Sequence, residues 1–527
     1  MRPPIWNPPK ELSSAEERVA QRIRKAKLFL FLRQIRHQLF DEEFQKELSR
    51  VFKDSTVGLC PVPPAQMALA ILLQAYTGVS DDEAIEAMVM ARRWQLVLDC
   101  LDAETTPFGK GTLVQFRAAL LAKNLDRSLI EKTVKMAEQL GGYPSRSLRV
   151  ALDSSPLWGA ARVEDTYNLL GHALRKALEI IARHQQEDLA TVAQHTNAEL
   201  LAQTSLKAAL DLDWDDPASR NQALAKILQT LNTVEGWVEQ NLNFSETIAS
   251  QVNSNLAVAR QIESQDVEEA SDGFPKLRQG VAKDRRISIE DQQMRHGRQS
   301  RHQRFDGDKR HVLKDLDLGV VRAVGLTPAN LPEATITPEL EADLHAQQVT
   351  LSQLHIDRAY LTSHWVKQRS SDVTIICKAW RVRHGQYFDK TAFVLDWKNH
   401  LIRCLNRVSL PFSEGQVVHF PKGECDVCPL RSQCTTSSTR RSVSIHPDES
   451  LLQELRQRQM TPAGRTQLRE RVAVEHCLAR IQQWQGEQAR YLGLRKNLFD
   501  LRRMAAIDNL HVLAHLLATS PTGTASS

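Results

Sequence analysis

Three acidic residues far apart in the 527-residue chain have the types and settings to share one piece of chemistry. Asp153 leaves the apolar run Leu148-Arg-Val-Ala-Leu152 and is followed by Ser154-Ser-Pro156. Asp357 closes a second short run, Leu354-His-Ile356, and Glu475 lies in the helix-forming stretch Arg469-Glu-Arg-Val-Ala-Val-Glu475-His-Cys-Leu-Ala-Arg-Ile481. A carboxylate at the end of a strand is held by the sheet and makes a rigid ligand. Hard oxygen donors of this kind suit Mg²⁺ or Mn²⁺. A pair of such ions about 3.5–4 Å apart can activate the attacking oxygen and stabilise the leaving one in phosphodiester cleavage. Each residue also has a plainer reading. A strand-ending Asp caps a turn, and a Glu on a solvated helix makes an i,i+4 ion pair.

The elements that must position these groups follow from the sequence pattern. The run around Asp153, bounded by Gly141-Gly142-Tyr143-Pro144 and by Pro156, predicts a buried strand. Lys309 to Thr327 predicts two strands joined across Asp317-Leu-Gly319. Ile336 to Gln348 predicts a helix, Leu354 to Asp357 a strand, Tyr360 to Gln368 a helix and Val373 to Cys377 a strand. Strands alternating with helices in this order describe an α/β core, a mixed sheet with helices on it. From Pro462 the chain becomes helical again through Ile481. The N-terminal part is helical, with an amphipathic stretch carrying Leu28, Leu32, Ile35 and Leu39 among basic residues such as Arg33 and Arg36. Gln66 to Tyr76 is apolar nearly all round, and Ser80 with Glu83 forms a capping box ahead of a helix to about Ala91. These short helices suit either a helix-turn-helix-like DNA reader or a dimerisation and packing domain. Glu164 to Glu269 is long, polar and helical, a hairpin or small bundle inserted in the core.

Charge and cysteine usage bound the partners. A net charge of +5 does not identify a nucleic-acid binder, but Lys276 to Lys314 holds twelve Lys or Arg against five Asp or Glu, a phosphate-binding composition. A solvated basic linker has the same composition. No stretch approaches the roughly 20 apolar residues of a membrane span. The N-terminus lacks a signal-peptide core, which predicts an intracellular, cytoplasmic protein with no membrane partner. Of eight cysteines, Cys425, Cys428 and Cys434 cluster with the spacing of an incomplete Zn²⁺ site, with His419 or Cys404 as a candidate fourth ligand. Packed, reduced thiols are the competing reading.

Taken in order, Leu148 to Ser155, Arg304-Phe-Asp-Gly-Asp-Lys-Arg-His311, Thr327-Pro-Ala-Asn330, Ile356-Asp-Arg-Ala-Tyr360 and the helix around Glu475 resemble bacterial insertion-sequence DDE transposases. Gly78-Val-Ser-Asp81 and Phe116-Arg117 resemble the helical N-terminal domain of that family, so that the resemblance spans roughly residues 55–510. It implies an RNase-H-like fold and an acidic triad of Asp153, Asp357 and Glu475 holding Mg²⁺ (or Mn²⁺), two ions in all. It also implies double-stranded DNA partners, the element's terminal inverted repeats and a target, cut and joined by a homodimer or higher multimer associated with the nucleoid. Arg471, four residues before Glu475, matches a family arginine that orients the Glu or reaches a phosphate. Leu468 and Gln482 stand where many members have Tyr and Lys. Arg298, Arg301, Arg304, Lys309, Arg310, His311, Arg471 and Gln482 are the expected DNA contacts, with Arg480, Arg495 or Lys496 as substitutes for the missing Lys. A catalytically inactive, transposase-derived DNA-binding protein is the alternative.

The expected organisation is a helical DNA-binding or dimerisation domain at 1–140, a first core segment at 141–163 and a helical insertion at 164–270. The core with its basic segment continues at 271–377. A β-rich Cys-containing insertion at 378–455, a catalytic helix region at 456–518 and a disordered tail at 519–527 complete it.

Overall fold

The computed structural model describes residues 2–53, 60–141, 146–241, 245–270, 273–300 and 302–519. Arg301, the residues 142–145 that precede the first strand, and all but the first residue of the expected tail lie outside them.

The centre is a mixed sheet. Its strands are β1 (Ser147–Trp158), β2 (Arg304–Asp315), β3 (Val321–Pro328), β4 (Thr350–Ile356) and β5 (Thr374–Cys377), in the spatial order β3-β2-β1-β4-β5. β4 and β5 run parallel to β1, whereas β2 is antiparallel to both β1 and β3. A short strand, Arg295–Arg298, pairs with the start of β2. The hairpin turn falls where Asp317-Leu-Gly319 predicts it, with Gly319 at φ 75°, a left-handed position that glycine takes without steric cost. This is the RNase-H-like mixed sheet expected from the sequence.

Both faces of β1 are covered, which is why its sequence reads as a continuous apolar run. Leu148, Val150 and Leu152 pack with Leu313, Leu354 and Ile356 on one side. Ala151 and Leu157 join Val312 and Val324 on the other, in a core continuous with the N-terminal helices. β1 does not end at Pro156 but runs on to Trp158. From Leu152 to Leu157 its strand partner among the described residues is β2, so at Pro156 the other edge carries no strand and a proline without an N–H is tolerated there.

The N-terminal helices are part of this core. The helix Pro64–Thr77 is buried along almost its whole length, and the capping box of Ser80 and Glu83 forms as expected. Leu28–Leu39 is the expected amphipathic helix, and Arg33 and Arg36 on it are buried as well. Arg36 donates to the carbonyls of Leu96, Val97 and Pro9 and pairs with Asp99. Its guanidinium thus satisfies carbonyls at the end of the helix Arg92–Leu98 that would otherwise lack partners.

The inserted helices form a bundle, chiefly Thr166–Gln185, Pro217–Gln240 and Glu246–Asp266, with a hydrophobic core of their own. Entry and exit are adjacent, since Thr166 Oγ1 donates to Asp266 Oδ2 over 2.9 Å and Arg285 pairs with the same carboxylate. Residues 394–444 make two small sheets around Phe393, Ile402, Phe412 and Phe420. The chain closes with α1 (Pro462–Glu470), α2 (Val472–Gln485) and α3 (Leu494–Thr519). The chain is helical from Pro462 through Ile481 as expected, in two helices divided at Arg471.

Candidate active site

Asp153 and Asp357 come together through strand register. β1 and β4 are adjacent and parallel with Ala151 opposite His355, so each Asp lies two residues past the same rung. β4 ends there, and Asp357 caps the short 3₁₀ turn Arg358–Tyr360 by accepting the Ala359 N–H at 2.8 Å. The turn is pinned from behind. Tyr360, fully buried, shares its hydroxyl with His311 Nδ1 at 2.8 Å, while His311 Nε2 meets Thr327 Oγ1 at 2.9 Å. Burial pushes the imidazole down to about 3, so this His is a neutral tether.

Glu475 approaches from α2. Val474, Cys477, Leu478 and Ile481 bury one side of that helix against the core that contains Ala151, Leu157 and Val312. Burying an aliphatic side chain is worth about 1.5–3 kcal/mol, so this seating is firm. The turn after α2 is tied to β1, with Trp158 N–H donating to the Glu487 carbonyl and Ala489 N–H to that of Trp158. Glu475 is in the first turn of α2, where the positive end of the helix dipole favours an anion.

Arg471 joins these groups. Its Nη1 lies 2.5 Å from Asp153 Oδ2 and its Nη2 2.5 Å from Glu475 Oε1. Burial raises the Asp153 carboxyl; Arg471 and the Ser154 N–H oppose that, while Asp357 and Glu475 reinforce it. Glu333 is a fourth carboxylate in the same field. It is raised first by burial and next by Asp357, and lies 3.8 Å from Lys309. Sequence reading missed it; the available signal was a carboxylate three residues beyond Asn330 in the Thr327-Pro-Ala-Asn block.

Two of the expected DNA contacts are placed otherwise. Arg310 and His311 are interior, and Arg310 donates to Gln485, to the Gly486 carbonyl and to the Pro156 carbonyl. They sit in the middle of a central strand, where alternate residues point into one covered face or the other. Lys309 donates to the Leu331 carbonyl. Arg298 and Arg304 are exposed at the sheet margin, away from the acid cluster in the β1–β2 register. Gln482 bonds Glu487, Arg480 pairs with Asp508 and Arg495 with Asp126, so the latter two are engaged in the protein itself.

Among the described residues no group of three or more His, Cys, Asp or Glu side chains converges as a ready-made metal site. At the acid cluster the Arg471 guanidinium bridges two of the carboxylates, Asp153 and Glu475. The donor set of hard carboxylate oxygens nevertheless fits Mg²⁺ or Mn²⁺. Cys404, Cys425, Cys428 and Cys434 line one small apolar pocket without converging. His419 points elsewhere, exposed and bonded to Ser442 at 2.8 Å, so Cys404 accompanies the three clustered thiols.

Fold and site together define a class: an RNase-H-like protein with acidic residues gathered where parallel strands end against a helix. Residues 412–514, which include Arg471 and Glu475, match the family model described as Transposase DDE domain, and residues 17–119 match that of Transposase domain (DUF772). In these two regions the chain is similar to insertion-sequence DDE transposases. No curated protein and no solved structure matches it.

Proposed function

We propose that this transposase binds the terminal inverted repeats of its element and cuts and rejoins DNA strands with Asp153, Asp357 and Glu475 as ligands of divalent metal. The observation that carries the reading is the equal offset of Asp153 and Asp357 beyond one β1–β4 rung, with Glu475 linked to Asp153 through Arg471. DDE transposases typically use a divalent metal. Mg²⁺ or Mn²⁺, as two ions, would supply activation of the attacking oxygen and charge stabilisation on the leaving one.

The chain's own residues do the rest. The two strand-borne carboxylates are held by the sheet, and the His311–Tyr360–Thr327 tether keeps the Asp357 turn in place. Arg471 pairs with the half-buried Asp153 and faces the adjoining cleft, where a phosphate can meet it. Water is the first nucleophile and a DNA 3′-hydroxyl the second, with no covalent link to protein, and pairing of two ends calls for a dimer or higher multimer. The four cysteines are proposed as a structural zinc site, since soft thiolates select Zn²⁺.

The test is Mg²⁺-dependent nicking of DNA carrying the element's ends. Asp153→Asn and Glu475→Gln are each expected to reduce nicking to that of a metal-free control; activity surviving either change rejects the triad. Wild-type protein that binds the ends and never nicks them would be an inactive derivative. For the cysteines, metal analysis of purified protein is expected to show one zinc per chain, lost in Cys425→Ser/Cys428→Ser; a zinc-free, fully folded wild type rejects that site.

A further inference from the structure

Beside the acid cluster lies a cleft of about 820 Å³ that no sequence motif marked. Asp357 and Arg471 stand at it, together with Arg358, Lys378, Arg381, Arg465 and Arg469. We propose that this cleft takes the sugar–phosphate backbone of one DNA strand and leads it to the carboxylates, which rests on the reading of Asp357 as part of the reaction centre.

The charge of the cleft has one sign. Six cationic side chains line it against the single carboxylate of Asp357. His355, also at the cleft, does not add to them or offset them, because burial pushes its imidazole down to about 4 and leaves it neutral. A concave surface of one sign focuses its field and attracts an oppositely charged partner.

Of the six, only Arg471 is paired among the described residues, with Asp153 and Glu475. Arg358, Lys378, Arg381, Arg465 and Arg469 make no ion pair among the described residues. Neighbouring arginines do: Arg149 with Asp317 and Glu470, Arg369 with Asp448, Arg456 with Glu449 and Arg458 with Glu454. The basic segment 276–314, which the composition favoured, is largely self-satisfied, with Arg285 paired to Asp266, Arg295 to Asp284 and Arg310 buried. At the cleft five cations stand together without such a pairing among the described residues.

Their placement suits a strand. Arg358, Lys378 and Arg381 follow the C-terminal ends of β4 and β5, while Arg465 and Arg469 project from α1, four residues apart on one helix face. Two of the guanidiniums are steadied by backbone: Arg358 Nε donates to the Lys378 carbonyl at 3.0 Å and Arg465 Nη1 to the Met460 carbonyl at 2.7 Å. The remaining N–H groups of those side chains stay available. Cations spread along two walls match a chain of phosphates better than a single small anion. Contacts of this kind position a strand and read no sequence.

The experiment measures binding of full-length protein to fluorescein-labelled, mixed-sequence single-stranded DNA in chelator, over a range of salt. Without divalent metal no chemistry can alter the result. The triple variant Arg381→Gln/Arg465→Gln/Arg469→Gln is expected to bind at least about 10-fold more weakly at physiological salt. Its slope of log affinity against log salt should shrink by about 2, at roughly 0.7 for each phosphate of a single strand that is no longer neutralised. The triple Lys variant, which keeps the charges, should retain the wild-type slope. Arg183→Gln/Lys226→Gln, on the inserted bundle and outside the cleft, should leave the slope unchanged. An unaltered slope in the triple Gln variant, or an equal loss in the Arg183/Lys226 pair, overturns the proposal. Nicking is scored separately: a wild type that nicks DNA while the triple Gln variant keeps its slope rejects the cleft and spares the function. A cleft-dependent slope without any nicking rejects the function and spares the cleft.

Discussion

Arg471 is the residue on which the acid cluster turns. It bridges Asp153 and Glu475, two of the carboxylates proposed above as ligands of a divalent cation. A cation bound by those carboxylates would have to displace this contact. Arg471→Ala therefore has two expected effects of opposite sense. Without metal, the half-buried Asp153 carboxylate loses its charge partner, and the fold should be destabilised by about 1–3 kcal/mol. In a titration followed by thermal unfolding, the Mg²⁺ concentration for half-maximal stabilisation should fall several-fold, because no side chain has to be displaced. A midpoint unchanged or raised in the variant would mean that Arg471 supports the metal site and does not compete for it.

Among the elements, α1 matters because it forms one wall of the cationic cleft, and its position depends on a close approach. A Cβ on Gly464 would lie 1.9 Å from the Arg458 carbonyl oxygen, a backbone atom that cannot swing aside. Gly464 also donates its N–H to Thr461 Oγ1 at 3.0 Å, the cap that starts the helix. Gly464→Ala must shift α1 and is expected to cost about 1–3 kcal/mol. It should also weaken DNA binding without removing a charge. A melting temperature within error of wild type would show that the tight turn into α1 is not needed. Gly464 itself carries no sequence signal of this role, since a glycine near a helix start is ordinary; only the packing of two successive helices reveals it.

The molecule as a whole is built on several apolar clusters, of which the inserted bundle's is one. The N-terminal helices, one face of the sheet, α2 and α3 share a single apolar cluster, whereas the bundle 166–266 has another. Because the bundle's ends meet at Thr166 and Asp266, closing the chain there with a short Gly/Ser linker costs little loop entropy. Replacement of residues 167–265 in this way is expected to leave a protein that still unfolds cooperatively by circular dichroism. A chain that fails to fold would show that the bundle is needed to complete the core.

The sequence alone determined the local pieces and their order. β-branched and aliphatic runs specify strands, Ser80 and Glu83 specify a helix start, and Asp317-Leu-Gly319 specifies a hairpin, because each rests on interactions within a few residues. The carboxylates Asp153, Asp357 and Glu475 were legible as candidates through those elements and through the family resemblance. The tertiary structure decided what depends on register and burial. Arg310 and His311 belong to a basic run that composition assigns to DNA, yet strand pairing turns them inward. Arg358, Lys378, Arg381, Arg465 and Arg469 come from separate segments, and no local pattern announces that they face one cleft. Glu333 and Cys404 join their clusters in the same way, across the sheet and across a loop-rich insertion. Periodicity is a property of neighbours in the chain. The sharing of one site by residues hundreds of positions apart is set only when the strands choose their partners.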